Sequence, residues 1–186
     1  MRKWDQNRRV MRRYDASSRT YDALYGEEQC AKFNRALKGL TVRPGSVVLD
    51  AGCGSGLLFN RVVSEAKMVV GLDISRSLLL LAKGKAKEHK NVYMIRADVD
   101  NMPFSRGVFS VVFAFTVLQN LPKPSETLQE FSQAAKHDAA IVVTGLKKYF
   151  SSENFSNLLK RAEFSLASLI DDDSLKCYVA VLRNGS

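Results

Sequence analysis

Two carboxylates and three glycines at fixed spacing carry the strongest chemical signal in this sequence. Asp50 is followed by Ala51-Gly52-Cys53-Gly54-Ser55-Gly56, and Asp73 stands 17 residues beyond Gly56. Glycines allow a sharp turn and let a ligand approach where a Cβ would clash. A helix opening after such a turn presents free N–H groups and a partial positive charge. A carboxylate at the distance of Asp73 suits the two hydroxyls of an adenosine ribose. A dinucleotide fingerprint reads GxGxxG. Here the third glycine falls one residue early, at Gly56, and Leu57 stands where that pattern wants glycine. Asp50 would repel a pyrophosphate and attract a cation.

The elements that must position these residues alternate regularly. Val47-Val48-Leu49-Asp50 ends a strand over Ser46–Asp50, and Leu57–Ala66 carries Leu57, Leu58, Val62 and Val63 at helical spacing. Further strands are expected over Met68–Asp73, Val92–Ala97, Phe109–Phe115, Ala140–Thr144, Phe164–Ile170 and Cys177–Arg183. Ser75 is placed to cap a helix bearing Leu78 to Leu81, Pro124 to start another, and Ser152 to cap a third. Strands alternating with helices imply βαβ units and a mostly parallel sheet. The strands are continuous apolar runs, as helix-covered faces require. The expected fold is α/β: a doubly wound, mostly parallel seven-stranded sheet with the last strand antiparallel and helices on both faces. An N-terminal helical extension over residues 1–40 precedes the ligand-binding domain at 41–186.

Composition bounds the partners. The chain has 186 residues, 46% apolar and 25% charged, which is ordinary globular usage. Its three cysteines (Cys30, Cys53, Cys177) are too few and too scattered for a disulfide scaffold or a CxxC zinc site, so no metal is expected. No apolar run approaches the ~20 residues of a membrane span. The N-terminus is arginine-rich with no apolar signal segment, so a cytoplasmic protein without membrane attachment is the expectation. The formal net charge is +9, and residues 1–38 hold ten basic side chains against five acids. Such an arm, with Arg8, Arg9, Arg12 and Arg13, suits a phosphate backbone; a solvated terminus is the plainer alternative.

At this point the resemblance to a family is plain. VLDAGCGSG is similar to motif I of the class I S-adenosylmethionine-dependent methyltransferases, and GLDIS resembles the acidic motif that follows it. Ile95-Arg96-Ala97-Asp98-Val99-Asp100-Asn101-Met102-Pro103-Phe104 and Phe109 to Leu121 resemble the next two, in order, over about residues 40–183. The resemblance implies S-adenosylmethionine as cofactor. It puts Asp50 near the methionine ammonium, and Gly52, Gly54 and Gly56 under the methionine part. Asp73 would hold the ribose, Ile74 would pack on the adenine, and Asp98 with the Val99 backbone would take the adenine amino group. Thr116 and Val117 would line the site near the sulfonium. In small ubiquinone-biosynthesis-type relatives a Tyr-Asp segment folds over the cofactor. By that likeness Tyr21 or Tyr25 covers the sulfonium, whose charge an aromatic face attracts.

The acceptor is less defined. The Asn/Asp-Pro-Pro-Tyr/Phe motif of enzymes that methylate planar nitrogens is replaced here by Thr116-Val117-Leu118-Gln119-Asn120-Leu121-Pro122. No residue stands out as a catalytic acid, base or nucleophile; Gln119 and Asn120 could bond an acceptor or merely shape the loop. A minimal core with a basic arm favours RNA (tRNA or rRNA) as acceptor, bound through the arm, or a small activator protein that completes the site. The alternative is a small-molecule methyltransferase closed by the N-terminal helices; a second alternative is a non-catalytic S-adenosylmethionine-binding protein.

Overall fold

A computed structural model describes residues 3–162 and 164–185. Arg2, part of the basic arm, lies outside the described residues. Two helices come first, α1 (Lys3–Ser17) and α2 (Tyr21–Lys38). Then follow β1 (Ser46–Ala51), α3 (Phe59–Val62), β2 (Ala66–Asp73), α4 (Arg76–Ala86), β3 (Val92–Arg96) and β4 (Phe109–Ala114). The chain closes with α5 (Pro124–Ala134), β5 (Ala135–Leu146), α6 (Ser152–Arg161), β6 (Ser165–Ile170) and β7 (Cys177–Arg183). The seven strands form one sheet in the order β3-β2-β1-β4-β5-β7-β6. Strands β1 to β5 pair in parallel, and the last strand, β7, inserts between β5 and β6 antiparallel to both. This is the doubly wound architecture expected from the alternating pattern.

Two apolar layers sandwich the sheet. One face packs Leu128 and Phe131 of α5 and Phe155 and Leu159 of α6 over Leu49, Val112 and Ile141. The other packs Phe33 and Ala36 of α2, Phe59 and Val62 of α3 and Ala82 of α4 over Val48, Val69 and Phe113. Strand order reverses between β1 and β4, and the crevice beyond the carboxyl ends of the strands at such a switch point is where open α/β sheets take ligands.

Local chemistry sets the element ends. The Ser75 hydroxyl accepts from the Leu78 N–H at 3.2 Å and caps α4, and Pro124 opens α5 at a position where its missing N–H costs nothing. The cap of α6 is Ser151, one residue before the expected Ser152. The helix expected over Leu57–Ala66 is reduced to Phe59–Val62, because the glycine turn runs on before it. β5 begins earlier than expected, at Ala135: α5 passes into it without a loop, and Asp138 takes a φ of 60°.

Candidate functional site

The glycine turn packs on two aromatic rings, Phe59 at Gly56 and Tyr21 at Gly54. Phe59 is fully buried beneath it, a contribution of about 1.5–3 kcal/mol for such a side chain. A Cβ on Gly56 would lie 2.6 Å from Phe59 Cε2, and one on Gly71 2.7 Å from Phe59 Cζ. Gly56 therefore serves close packing of turn on helix, at a φ of 78° that side chains disfavour, and stands apart from the cavity described next. Gly52 and Gly54 do line it. At Gly52 a Cβ would meet Val117 Cγ2 at 2.5 Å, and at Gly54 the Tyr21 hydroxyl at 3.3 Å.

That cavity is partly open to solvent. Of the residues singled out from sequence, Tyr21, Gly52, Gly54, Asp73, Ile74, Asp98, Val99, Thr116 and Val117 come together on its wall. Asp50 does not; it lines a second, smaller cavity with Gln29, Phe33, Cys53 and Leu57. Tyr21, Gly52 and Phe115 belong to both walls, so Tyr21 stands where the two spaces adjoin. Tyr25 packs on the Tyr21 ring with centroids 5.2 Å apart and is itself largely exposed.

Asp73 ends β2 as a buried carboxylate. It accepts from the Gly54 N–H at 2.9 Å and the Ser75 N–H at 2.8 Å, which fixes the glycine turn to the start of α4. Burial raises its pKa against those bonds. Asp50, 3% exposed at the end of β1, is pushed up to about 8 by burial and then by the charge of Asp73. Two buried carboxylates that repel each other favour a ligand carrying positive charge and oppose a pyrophosphate. The arrangement fits S-adenosylmethionine: a cationic ligand part against Asp50, a glycine cradle, and a carboxylate at the ribose position. Cys53 is buried and its thiol is held well above the usual range by burial, so it is a packing residue.

The N-terminal helices roof the cavity, a role the sequence shows only in part. Asn7, Val10 and Tyr14 of α1 line it. Asn7 Nδ2 donates to Asp98 Oδ2 at 2.5 Å, so the carboxylate expected to meet an adenine amino group already holds an amide. Asp15 accepts from the Ser75 hydroxyl at 2.6 Å and the Ser77 N–H at 3.0 Å, clamping α1 to the start of α4. Asp22 accepts from Ser55 and from Lys85 Nζ, the latter at 2.8 Å, tying α2 to the glycine turn. Arg13 donates to Asn120 Oδ1 at 2.6 Å and stacks on Tyr14. The helix is thus tied to the core through Asn7, Arg13 and Asp15, while Arg8, Arg9 and Arg12 are exposed. Gln119 and Asn120 both donate to the Thr116 carbonyl, Asn120 at 3.0 Å, and so shape the loop.

Sequence reasoning misses Asn7 and Tyr14, and with them Gln29 and Lys32 of α2. The last two lie three residues apart on the buried side of an otherwise apolar helix face, a signal that the sequence does hold. Among the described residues no group of His, Cys, Asp and Glu side chains could hold a metal ion, and no helix is long and apolar enough to cross a membrane.

Comparison with known proteins agrees with this geometry. Residues 43–176 match the model of a family described as a methyltransferase domain. A demethylmenaquinone methyltransferase of Staphylococcus saprophyticus is 31% identical over 111 residues, which cover 58% of this chain and 48% of that protein. The chain thus spans about half the length of the curated relatives it matches. Magnesium protoporphyrin IX methyltransferase from Synechocystis PCC 6803, solved with S-adenosylmethionine bound, superposes with a TM-score of 0.78 at 17% identity, covering 97% of each chain. The [4+2]-cyclase SpnF superposes at 0.83 with 15% identity, covering 95% of each chain. At such identities the structures share the fold, while the family match spans the glycine turn, Asp73, Asp98 and Thr116: the chain belongs to the class I S-adenosylmethionine-dependent methyltransferases.

Proposed function

We propose that this chain transfers the methyl group of S-adenosylmethionine to a small-molecule acceptor held beneath the roof of α1 and α2. The observation that carries this reading is the roof itself. Asn7, Val10, Tyr14 and Tyr21 line the cavity from the N-terminal helices, where an RNA strand would need an open face. The demethylmenaquinone methyltransferases among the relatives support it. RNA, the first expectation from the basic arm, loses its main argument because α1 is docked over the cavity.

In this reading residues 1–40 are the lid of the domain at 41–186. Asp73 holds the ribose hydroxyls, Gly52 and Gly54 pass under the methionine part, and Asp50 faces its ammonium. Ile74 packs on the adenine, with Asp98 and Val99 at its amino edge and Asn7 sharing the Asp98 carboxylate. Tyr21 and Thr116 flank the sulfonium, the activated methyl donor the ligand supplies. Transfer is an in-line displacement, so the protein contributes chiefly by positioning and by excluding water. The test is transfer of labelled methyl groups into a fractionated cell extract. Label in the small-molecule fraction is expected; label confined to RNA or protein overturns the small-molecule reading.

A further inference from the structure

Strand β6 ends the sheet: β7 lies on one side of it, and no further strand among the described residues lies on the other. Open edges template further pairing through their unused N–H and C=O groups, and proteins blunt them with charges, proline, bulges or a cover. Phe164-Ser165-Leu166-Ala167-Ser168-Leu169-Ile170 holds no charge and no proline. Ser165 to Ser168 are all exposed, Leu166 at 45%. The one irregularity is a β-bulge. Leu166 opposes Leu182 and Ser168 opposes Val181, so Ala167 is surplus.

The hydrogen-bond phase shows which backbone groups face outward. The Asn184 N–H donates to the Ala139 carbonyl and the Lys147 N–H to the Lys176 carbonyl, each at 3.0 Å. In antiparallel pairing the bonded positions alternate, so Tyr178, Ala180 and Leu182 turn their backbone groups to β5. Val179, Val181 and Arg183 therefore turn theirs to β6, where their partners are Ile170, Ser168 and Ser165. That leaves the N–H and C=O of Leu166 and Leu169 at the open edge. Both side chains stand on the sheet face covered by α6, opposite Leu182 and Ala180 of that core layer.

We propose that β6 pairs with β6 of a second copy of this chain, antiparallel about a two-fold axis, joining the two sheets. Leu166 of each copy then faces Leu169 of the other, and each such pair exchanges two backbone hydrogen bonds. The four leucines meet on one face. The bulge increases the local twist of the edge. A second copy brings the same twist and the same spacing, as an isologous contact requires. The ends also match in charge. Exposed Lys160 and Arg161 close α6 ahead of β6, with Glu163, outside the described residues, next to them in sequence. The acidic turn at 171–173 follows β6; Asp171 pairs with Lys147 and Asp172 with Arg35, while Asp173 is exposed. Antiparallel pairing lays the acidic turn of each copy beside the basic end of the other's α6. The axis stands perpendicular to the sheet, so the two main cavities lie at opposite ends and each keeps its own roof.

Sedimentation equilibrium of the intact chain, from dilute to concentrated solution, tests this. A mass rising from 20.8 kDa toward twice that value is expected; a mass that stays at 20.8 kDa throughout overturns the proposal. Leu166→Lys changes an exposed side chain and should raise the dimer dissociation constant roughly tenfold, since two cross-strand pairs are lost at once. A dimer that this variant leaves unchanged overturns the placement at β6. Circular dichroism checks that the variant keeps its fold. Disulfide trapping reads the register without that variant. A mixture of Leu166→Cys and Leu169→Cys chains should cross-link as dimers on mild oxidation, well above either variant alone and above wild type with its Cys30, Cys53 and Cys177. Cross-linking no greater in the mixture than in the separate variants overturns the pairing of Leu166 with Leu169.

Discussion

Asp50 should make cofactor affinity depend on pH. Its carboxyl lies at about 8 against an ordinary 3.8, because it is buried beside Asp73. With that value about one molecule in a hundred is ionised at pH 6 and half at pH 8, at 1.36 kcal/mol per unit. If the bound state requires the carboxylate, affinity for S-adenosylmethionine rises about 50-fold from pH 6 to pH 8, about 2.3 kcal/mol, and binding at pH 7 releases close to one proton. The same shift sets the stability of the ligand-free chain. Between 3.8 and about 8 the folded state holds a proton that the unfolded state has lost, so this group's contribution to stability falls as pH rises through that window and is flat above it. Asp50→Asn removes both effects: weaker binding at pH 8 with a flattened pH slope, and a higher melting temperature than wild type at pH 8 without ligand. Calorimetry at pH 6, 7 and 8, in buffers of different ionisation enthalpy, reads affinity and proton release together. The ligand's own amino group titrates near 8, so the comparison is with Asp50→Asn and the same ligand. A wild-type affinity that is flat from pH 6 to 8, or a slope that survives in Asp50→Asn, would refute the reasoning.

Tyr21→Leu should weaken S-adenosylmethionine more than the neutral S-adenosylhomocysteine, by about 0.5–2 kcal/mol for a ring facing a cation; equal losses in calorimetry would show that Tyr21 only packs. Removing residues 1–13 takes away Asn7, Val10 and the Arg13–Asn120 bond, so it should lower both the melting temperature and cofactor affinity. A truncated chain with unchanged affinity would mean that α1 is no part of the site. Gly56→Ala forces a Cβ to within 2.6 Å of the buried Phe59 ring at a φ of 78°, and should cost about 1–3 kcal/mol of stability in denaturant unfolding.

The sheet was legible because parallel strands buried on both faces are written as unbroken apolar runs: Val47-Val48, Val69-Val70 and Val111-Val112 recur in β1, β2 and β4. The cofactor loop was legible because positive φ and close packing leave glycine as the fitting residue at 52, 54 and 56. What remained hidden depends on contacts distant in sequence. Nothing near Asn7 announces that it meets Asp98, 91 residues away. The arginines around it read as a solvated or nucleic-acid-binding arm, although the helix that bears them docks through Asn7, Arg13 and Asp15. Lys32 reads as one more basic side chain of that arm; only the fold shows it buried on Thr116. His137 and Asp138 read as a turn, since polar residues conceal the exposed start of β5, where the Asp138 N–H is held by the Asn184 carbonyl at 2.9 Å.

Calorimetric titration of the intact chain with S-adenosylmethionine, run beside Asp73→Ala and beside NAD, tests the central claim most directly. The account predicts saturable binding to the wild type, a loss of about 1–3 kcal/mol in Asp73→Ala from ribose hydroxyls left poorly paired, and no comparable binding of NAD. Absence of S-adenosylmethionine binding, or an affinity that Asp73→Ala leaves unchanged, would contradict it.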